Sequence, residues 1–252
     1  MNKLRFDKII KDFDNKVISI NRTPGVFNYL NSINNMLKAK LYMDSIFDDI
    51  NTIINKSSNK GSVLDFGAGC GFLSNLLSNN FKNVYGIDTK AIDNLIEKNS
   101  KEFPDNFFNK ALNDQSKMWK LIMRNHSNIK ISHYDGKNIP FNDDFFDVIV
   151  AYAVVEHIPL DLLPSILFKL NNIIKKGGKF FIFKLPQKWS FTEFFARLLG
   201  IGHHIKTFSR KEIVDLLLES GWVIEEFYYS DFVFEFPTSV TNKIYPLLNF
   251  LS

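Results

Sequence analysis

The sequence predicts an α/β protein, a doubly wound sheet of about seven mostly parallel strands with helices on both faces, preceded by an N-terminal helical cap. Three observations predict it. From residue 62 onward, short apolar runs alternate with helical periods, the pattern of parallel strands joined by helical crossovers. The run F-D-V-I-V-A-Y at 146–152 is nearly all apolar, as a central strand buried on both faces must be. The stretch S-V-L-D-F-G-A-G-C-G-F-L-S at 62–74 reads as a strand ending in an acid, a turn on alternate glycines, and the start of a helix.

The elements follow in order. In residues 1–60, Phe6, Ile9, Ile10 and Phe13 share one helical face, and Thr23-Pro24-Gly25 breaks that period. Tyr29, Ile33 and Leu37 suggest a second helix, and Ile46, Ile50, Ile53 and Ile54 a third. Strands are expected at 63–66, 83–87 (ending at Asp88), 129–133, 146–152 and 179–185. Two helices, near 92–98 and 112–124, fill the long crossover between the second and third strands. A helix over 161–174 should end on Lys175, Lys176, Gly177 and Gly178, cations followed by a glycine cap. Ser209-Arg-Lys-Glu212 is a capping box, so a helix should start there and stop at Gly221. Residues 223–229 and 232–236 then read as two more strands. The expected organisation is a helical segment at 1–60, the main domain at 61–236 with a lid-like insertion at 187–208, and a tail at 237–252.

Composition excludes several classes. Hydrophobic residues make up 45% and charged residues 23% of 252, ordinary for a globular chain, and 26 phenylalanines promise an aromatic core or an apolar pocket. A net charge of +4, with Lys and Arg scattered among acids, gives no footprint for nucleic acid or an anionic membrane. The single cysteine, Cys70, excludes an internal disulfide and a cysteine-based zinc site. With no apolar leader region and no run of the ~20 apolar residues that a membrane span needs, the expectation is a cytoplasmic protein without stable membrane insertion.

The glycine loop points to a nucleoside cofactor. Glycines let the chain take left-handed angles and let a ligand approach the backbone, and the helix that follows begins with free N–H groups. A dinucleotide fold wants a third glycine where this chain has Phe72, which argues against a nicotinamide-dependent oxidoreductase. The spacing is instead Asp65, Gly67, Gly69, Gly71. With Y-G-I-D at 85–88, Y-D-G at 134–136, F-D-V-I-V-A-Y-A-V-V-E-H-I at 146–158 and K-K-G-G-K-F-F-I at 175–182, the chain resembles the class I S-adenosylmethionine-dependent methyltransferases over roughly 60–229, within their small-molecule, type-11-like group.

The resemblance implies a Rossmann-like fold and S-adenosyl-L-methionine as cofactor. It implies that Asp88 accepts the two ribose hydroxyls, and that Asp135 and the Gly136 N–H meet the adenine. Gly67 and Ala151, with Ala68, Gly69, Gly71 and Tyr152 around them, would receive the methionine portion while Asp65 holds the loop. Cys70 fills a variable slot between glycines and reads as packing.

The acceptor is less legible. Glu156 and His157 follow the fourth strand at the mouth of the cleft, and His157 is a candidate general base. His203 and His204 are further candidates, as base or substrate contact. Adjacent histidines lack the i, i+4 spacing of a metal pair, so no metal is expected. Motifs resembling those of nucleic-acid methylating enzymes are missing after strand four. The expected acceptor is therefore a small molecule or a lipid or glycan precursor, methylated at oxygen, with a non-catalytic donor-binding subunit as the alternative. Phe191, Phe194, Phe195, Leu198 and Leu199 share one helical face, which either packs on the core or forms a lid or shallow membrane contact. Tyr29 and Tyr42 are candidate contacts from the N-terminal helices, or core.

Overall fold

The computed structural model describes residues 40–89, 115, 116, 118–190 and 206–230. The expected elements at 6–13, 29–37, 92–98 and 232–236, the tail at 237–252, the apolar face at 191–199, Tyr29, His203 and His204 lie outside the described residues.

Helix α1 (Lys40–Lys56) buries Ile46, Ile50 and Ile53, the i, i+4, i+7 stripe of its sequence. Next come β1 (Ser62–Phe66), the short helix α2 (Phe72–Leu77) and β2 (Asn83–Thr89). Residues 118–125 are helical (α3), and β3 (Ile129–Tyr134) and β4 (Phe146–Tyr152) follow. A 3-10 turn (Val155–His157) leads to α4 (Leu163–Ile173), β5 (Ile174–Phe183) and α5 (Arg210–Glu219). The five described strands form one parallel sheet in the order β3-β2-β1-β4-β5. The chain winds outward from β1 to β3, then returns to lay β4 on the other side of β1. That reversal opens a crevice at the carboxyl ends of β1 and β4, where ligands of such sheets bind.

One core lies on each face. Ile46, Ile50, Leu76, Leu77, Trp119, Ile122 and Val150 fill the side covered by α1, α2 and α3. Leu64, Ile149, Leu163, Leu167, Leu170 and Ile213 fill the side covered by α4 and α5. Every residue of β4 except the last is buried, as its unbroken apolar run requires. The capping box forms as expected: Glu212 N–H donates to Ser209 Oγ (3.2 Å) and Ser209 N–H to Glu212 Oε2 (2.7 Å).

Two expectations are corrected. Lys175–Gly178 does not cap a helix; α4 ends at Ile173 and these residues already belong to β5. Phe146 pairs with Ile174 but Val148 with Lys179, so β5 bulges here, with Gly177 in the left-handed region at φ 76°. A glycine there serves a bulge as readily as a cap. The bulge delivers the Lys175 ammonium to Oδ1 of buried Asp147 at 2.9 Å.

The second concerns 223–229, which forms no strand among the described residues, so the described sheet has five strands against the about seven expected, and 232–236 lies outside it. Side chains anchor this segment. Trp222 Nε1–H donates to the Leu167 carbonyl at 3.0 Å, and Ile224 and Phe227 pack on the core. Glu225 and Glu226 pair with Lys179 and Lys56.

Candidate active site

Each strand of the inner sheet delivers one part of the site to its carboxyl edge. At β1, Asp65 is 1% exposed and its Oδ2 accepts a hydrogen bond from Ser74 Oγ at 2.6 Å. Ser74 lies in α2, so this bond fixes how the helix leaves the loop. Burial pushes the Asp65 carboxyl up to about 7, against the lowering pull of Ser74 and with a further push from Asp88.

Between strand and helix, Gly67, Gly69 and Gly71 have φ of 81°, 52° and 84°. At Gly67 a Cβ would come within 2.3 Å of Val154 Cγ2, so a side chain is excluded by space as well as by angle. Gly67 and Ala68 N–H both donate to the Ile87 carbonyl, which pulls the loop across to β2.

At β2, Asp88 is half-buried and its Oδ2 accepts the Gly69 N–H at 2.6 Å. Burial raises its carboxyl to about 6, with the bonds from Gly69 and Thr89 working the other way. The loop is gripped from outside as well. Gln115 Nε2 and Trp119 Nε1 donate to the Gly69 carbonyl at 2.9 and 3.0 Å. Sequence reasoning missed this pair, although their i, i+4 spacing was the available signal.

At β3, Asp135 is exposed and bonded into its own turn. Its Oδ1 accepts from Lys137 and Asn138 N–H and its Oδ2 from Asn138 Nδ2, which holds the carboxyl down at about 2. Gly136 (φ 80°) brings this turn close to β2, since a Cβ there would lie 3.2 Å from Thr89 Cγ2. Burial, with Asp88 and Asp135 adding to it, pushes the neighbouring Tyr134 phenol above its usual range.

At β4, Ala151 is buried and level with Phe66, so Tyr152 stands beside Gly67. The Tyr152 hydroxyl donates to Asp49 Oδ2 on α1 at 3.0 Å, a contact 103 residues apart that the sequence did not announce. Beyond it, Ala153 and Lys184 take left-handed angles, φ 54° and 57°, at the ends of β4 and β5. In the 3-10 turn, the Glu156 side chain is 2% exposed and that of His157 68%, with His157 Nε2 3.8 Å from Glu156 Oε1.

The structure thus brings Asp65, Gly67, Ala68, Gly69, Gly71 and Asp88 into one hydrogen-bonded unit, with Ala151 and Tyr152 on its β4 flank and the Asp135-Gly136 turn on its β3 side. His157 stands at the rim beyond β4. Among the described residues, no group of three or more side chains could hold a metal ion, and no helix is long and apolar enough to cross a membrane.

A half-buried carboxylate at the end of β2, raised by burial and facing a left-handed backbone loop, is suited to the paired hydroxyls of a nucleoside ribose. The slot where a dinucleotide fold places its third glycine is occupied by Phe72, which opens α2 and packs on the core. The class that fits this strand order and this loop is the class I S-adenosylmethionine-dependent methyltransferases. A family model described as a methyltransferase domain matches residues 39–226, and the chain belongs to that family. Membership implies S-adenosylmethionine as the methyl donor.

Several solved structures are similar to the chain. The partner of the Haloferax volcanii Trm112 methyltransferase activator is 15% identical at a TM-score of 0.50, covering 73% of this chain and 72% of its own. The YcgJ protein from Bacillus subtilis is 16% identical (TM-score 0.49; 69% and 68% covered). A SAM-dependent methyltransferase from Thermotoga maritima is 14% identical (TM-score 0.44; 72% and 78%). No curated protein matches the chain by sequence.

Proposed function

We propose that the chain transfers a methyl group from S-adenosylmethionine to a hydroxyl oxygen of a small molecule or of a lipid or glycan precursor. The observation that carries the donor half is the Asp88–Gly69 bond, which locks the β2 acid to the glycine loop at the sheet's switch point. In this reading Asp88 accepts the ribose hydroxyls, and the Gly136 N–H and Asp135 meet the adenine. Backbone at Gly67, Ala68, Gly69, Gly71 and Ala151, with the Tyr152 side chain, holds the methionine arm. Asp65 acts through Ser74, setting the loop's shape and the charge beneath it.

When bound, the donor supplies a methyl carbon on a sulfonium, whose sulfur leaves as a neutral thioether. The chain's own task is to align the acceptor and keep water out. In this reading His157, exposed and with its Nε2 3.8 Å from Oε1 of buried Glu156, takes the acceptor's hydroxyl proton. His203 and His204 belong to the insertion and are proposed as acceptor contacts. What supports an inserted lid at 187–208 is its base. Lys188 N–H donates to the Phe208 carbonyl and Phe208 N–H to that of Pro186, so the two ends meet. Residues 1–60 form the cap in this reading, with α1 as its described part.

Thermal shift separates the donor classes. S-adenosylhomocysteine should raise the melting temperature and NAD should not; stabilisation by NAD alone would contradict the reading. With methyl-labelled donor and a cell extract, label should enter the small-molecule or lipid fraction, and label confined to nucleic acid would overturn the acceptor class.

A further inference from the structure

Helix α1 reaches the site at one polar contact of particular chemistry. Asp49 is 8% exposed and accepts the Tyr152 hydroxyl proton at 3.0 Å. One turn earlier on the same face, Ser45 Oγ meets Lys184 Nζ at 2.6 Å, so α1 is tied to the carboxyl ends of both β4 and β5. Tyr152 packs on the face of the sheet that also carries Ala68 and Cys70 of the glycine loop, and the Phe66–Ala151 register sets it level with Gly67. Asp88 lies two strands away, across β1, at two spacings of about 4.8 Å or roughly 10 Å. A donor with its ribose on Asp88 therefore extends its methionine arm toward Tyr152. That arm carries a sulfonium, an ammonium and a carboxylate, so its net positive charge is the sulfonium's and is gone in the thioether. A phenol that gives its proton to a carboxylate gains negative character on its oxygen, and charge-assisted contacts of this kind are about twice as strong as neutral ones.

We propose that Asp49 and Tyr152 together form an anionic contact for the cationic arm of the donor, so that helix α1 sets a preference for the sulfonium donor over its neutral thioether product. Tyr152 touches the donor and Asp49 is a positioning residue that acts through it. The inference rests on the donor site proposed above and adds a residue from outside the glycine and acid motifs. It also gives α1 a part in turnover, because a site that relaxes its hold once the sulfonium charge is gone releases product.

The test is calorimetric titration of the wild-type protein, Asp49→Asn and Tyr152→Phe with S-adenosylmethionine and with S-adenosylhomocysteine. Asparagine keeps an acceptor oxygen for Tyr152 and removes the charge, with an amide NH2 in place of the second oxygen. Both variants should lose about tenfold or more of the preference for the sulfonium ligand, the size of one charge-assisted contact, and in Asp49→Asn thioether affinity moves less than about twofold. A merely structural tie between α1 and β4 predicts the opposite pattern. Asp49→Asn would then match the wild type, and Asp49→Ala would weaken both ligands alike. An unchanged preference in Asp49→Asn and Tyr152→Phe overturns the inference while leaving the donor site standing. Failure of the wild type to bind either ligand overturns the donor site, and this inference with it.

Discussion

The two edges of the sheet carry buried acids treated in opposite ways. At the amino edge, Asp147 is 5% exposed, and its two oxygens take Asn59 Nδ2 (2.8 Å), Ser62 N–H (2.7 Å) and the Lys175 ammonium (2.9 Å). At the carboxyl edge, Asp65 and Asp88 are held by neutral donors, a serine hydroxyl and a glycine N–H, and Asp88 adds to the upward push on Asp65. The same side chain is a staple where a cation meets it, and where neutral donors meet it burial holds its carboxyl up. Raised carboxyls clustered at a switch point are the electrostatic mark of function, whereas a satisfied acid at the far edge marks architecture.

The contrast can be broken from its site side by pH. The folded-state value of Asp65 is about 7, above its ordinary 3.8, so the folded protein keeps a proton that the unfolded chain has given up. The stability this contributes is fully present below about pH 4 and is lost as pH rises toward 7, a change on the order of 4 kcal/mol for about three units. Denaturant melts of the ligand-free protein at pH 4 and pH 8, compared with Asp65→Asn, should show the difference between the two proteins changing by that order in that sense. A pH-independent difference would mean that the acid is not held protonated.

The staple side predicts a smaller effect. Asp147→Ala removes three bonds and leaves the Ser62 N–H and the Lys175 ammonium without their acceptor. Because the lysine side chain is 41% exposed it can turn to water, which reduces the cost to about 2–3 kcal/mol. Urea melts should show that loss, and S-adenosylhomocysteine affinity at a temperature where the variant is folded should be unchanged. A loss of affinity would mean that the two edges are not independent.

Much of this was legible in the sequence, for reasons that differ by element. The β4 boundaries follow from an unbroken apolar run, and α5 begins at Ser209 because a capping box is a local device. Asp65, the glycines and Asp88 were readable because strand ends and left-handed angles leave chemical signatures within a few residues. The bulge at Lys175–Gly178 was not, since what makes those residues a strand is pairing with β4, which lies far off in the chain. Nor was the course of 223–229, where the local alternation is that of a strand and the described anchors are Trp222, Ile224 and Phe227. The Asp49–Tyr152 contact and the grip of Gln115 and Trp119 on the Gly69 carbonyl join distant segments, and only the fold brings them together. Asp135 was readable as a turn residue, and the structure adds that its carboxylate is spent largely on that turn.

The central claim is that the acid at the end of β2, tied to Gly69, holds the donor's ribose. Calorimetric titration of S-adenosylhomocysteine into the wild type and Asp88→Ala tests it directly. Loss of two hydroxyl bonds to a carboxylate should weaken binding about a hundredfold or more, while the ligand-free variant melts no earlier than the wild type because a burial-raised acid has been removed. An Asp88→Ala protein that binds S-adenosylhomocysteine as tightly as the wild type would contradict the account.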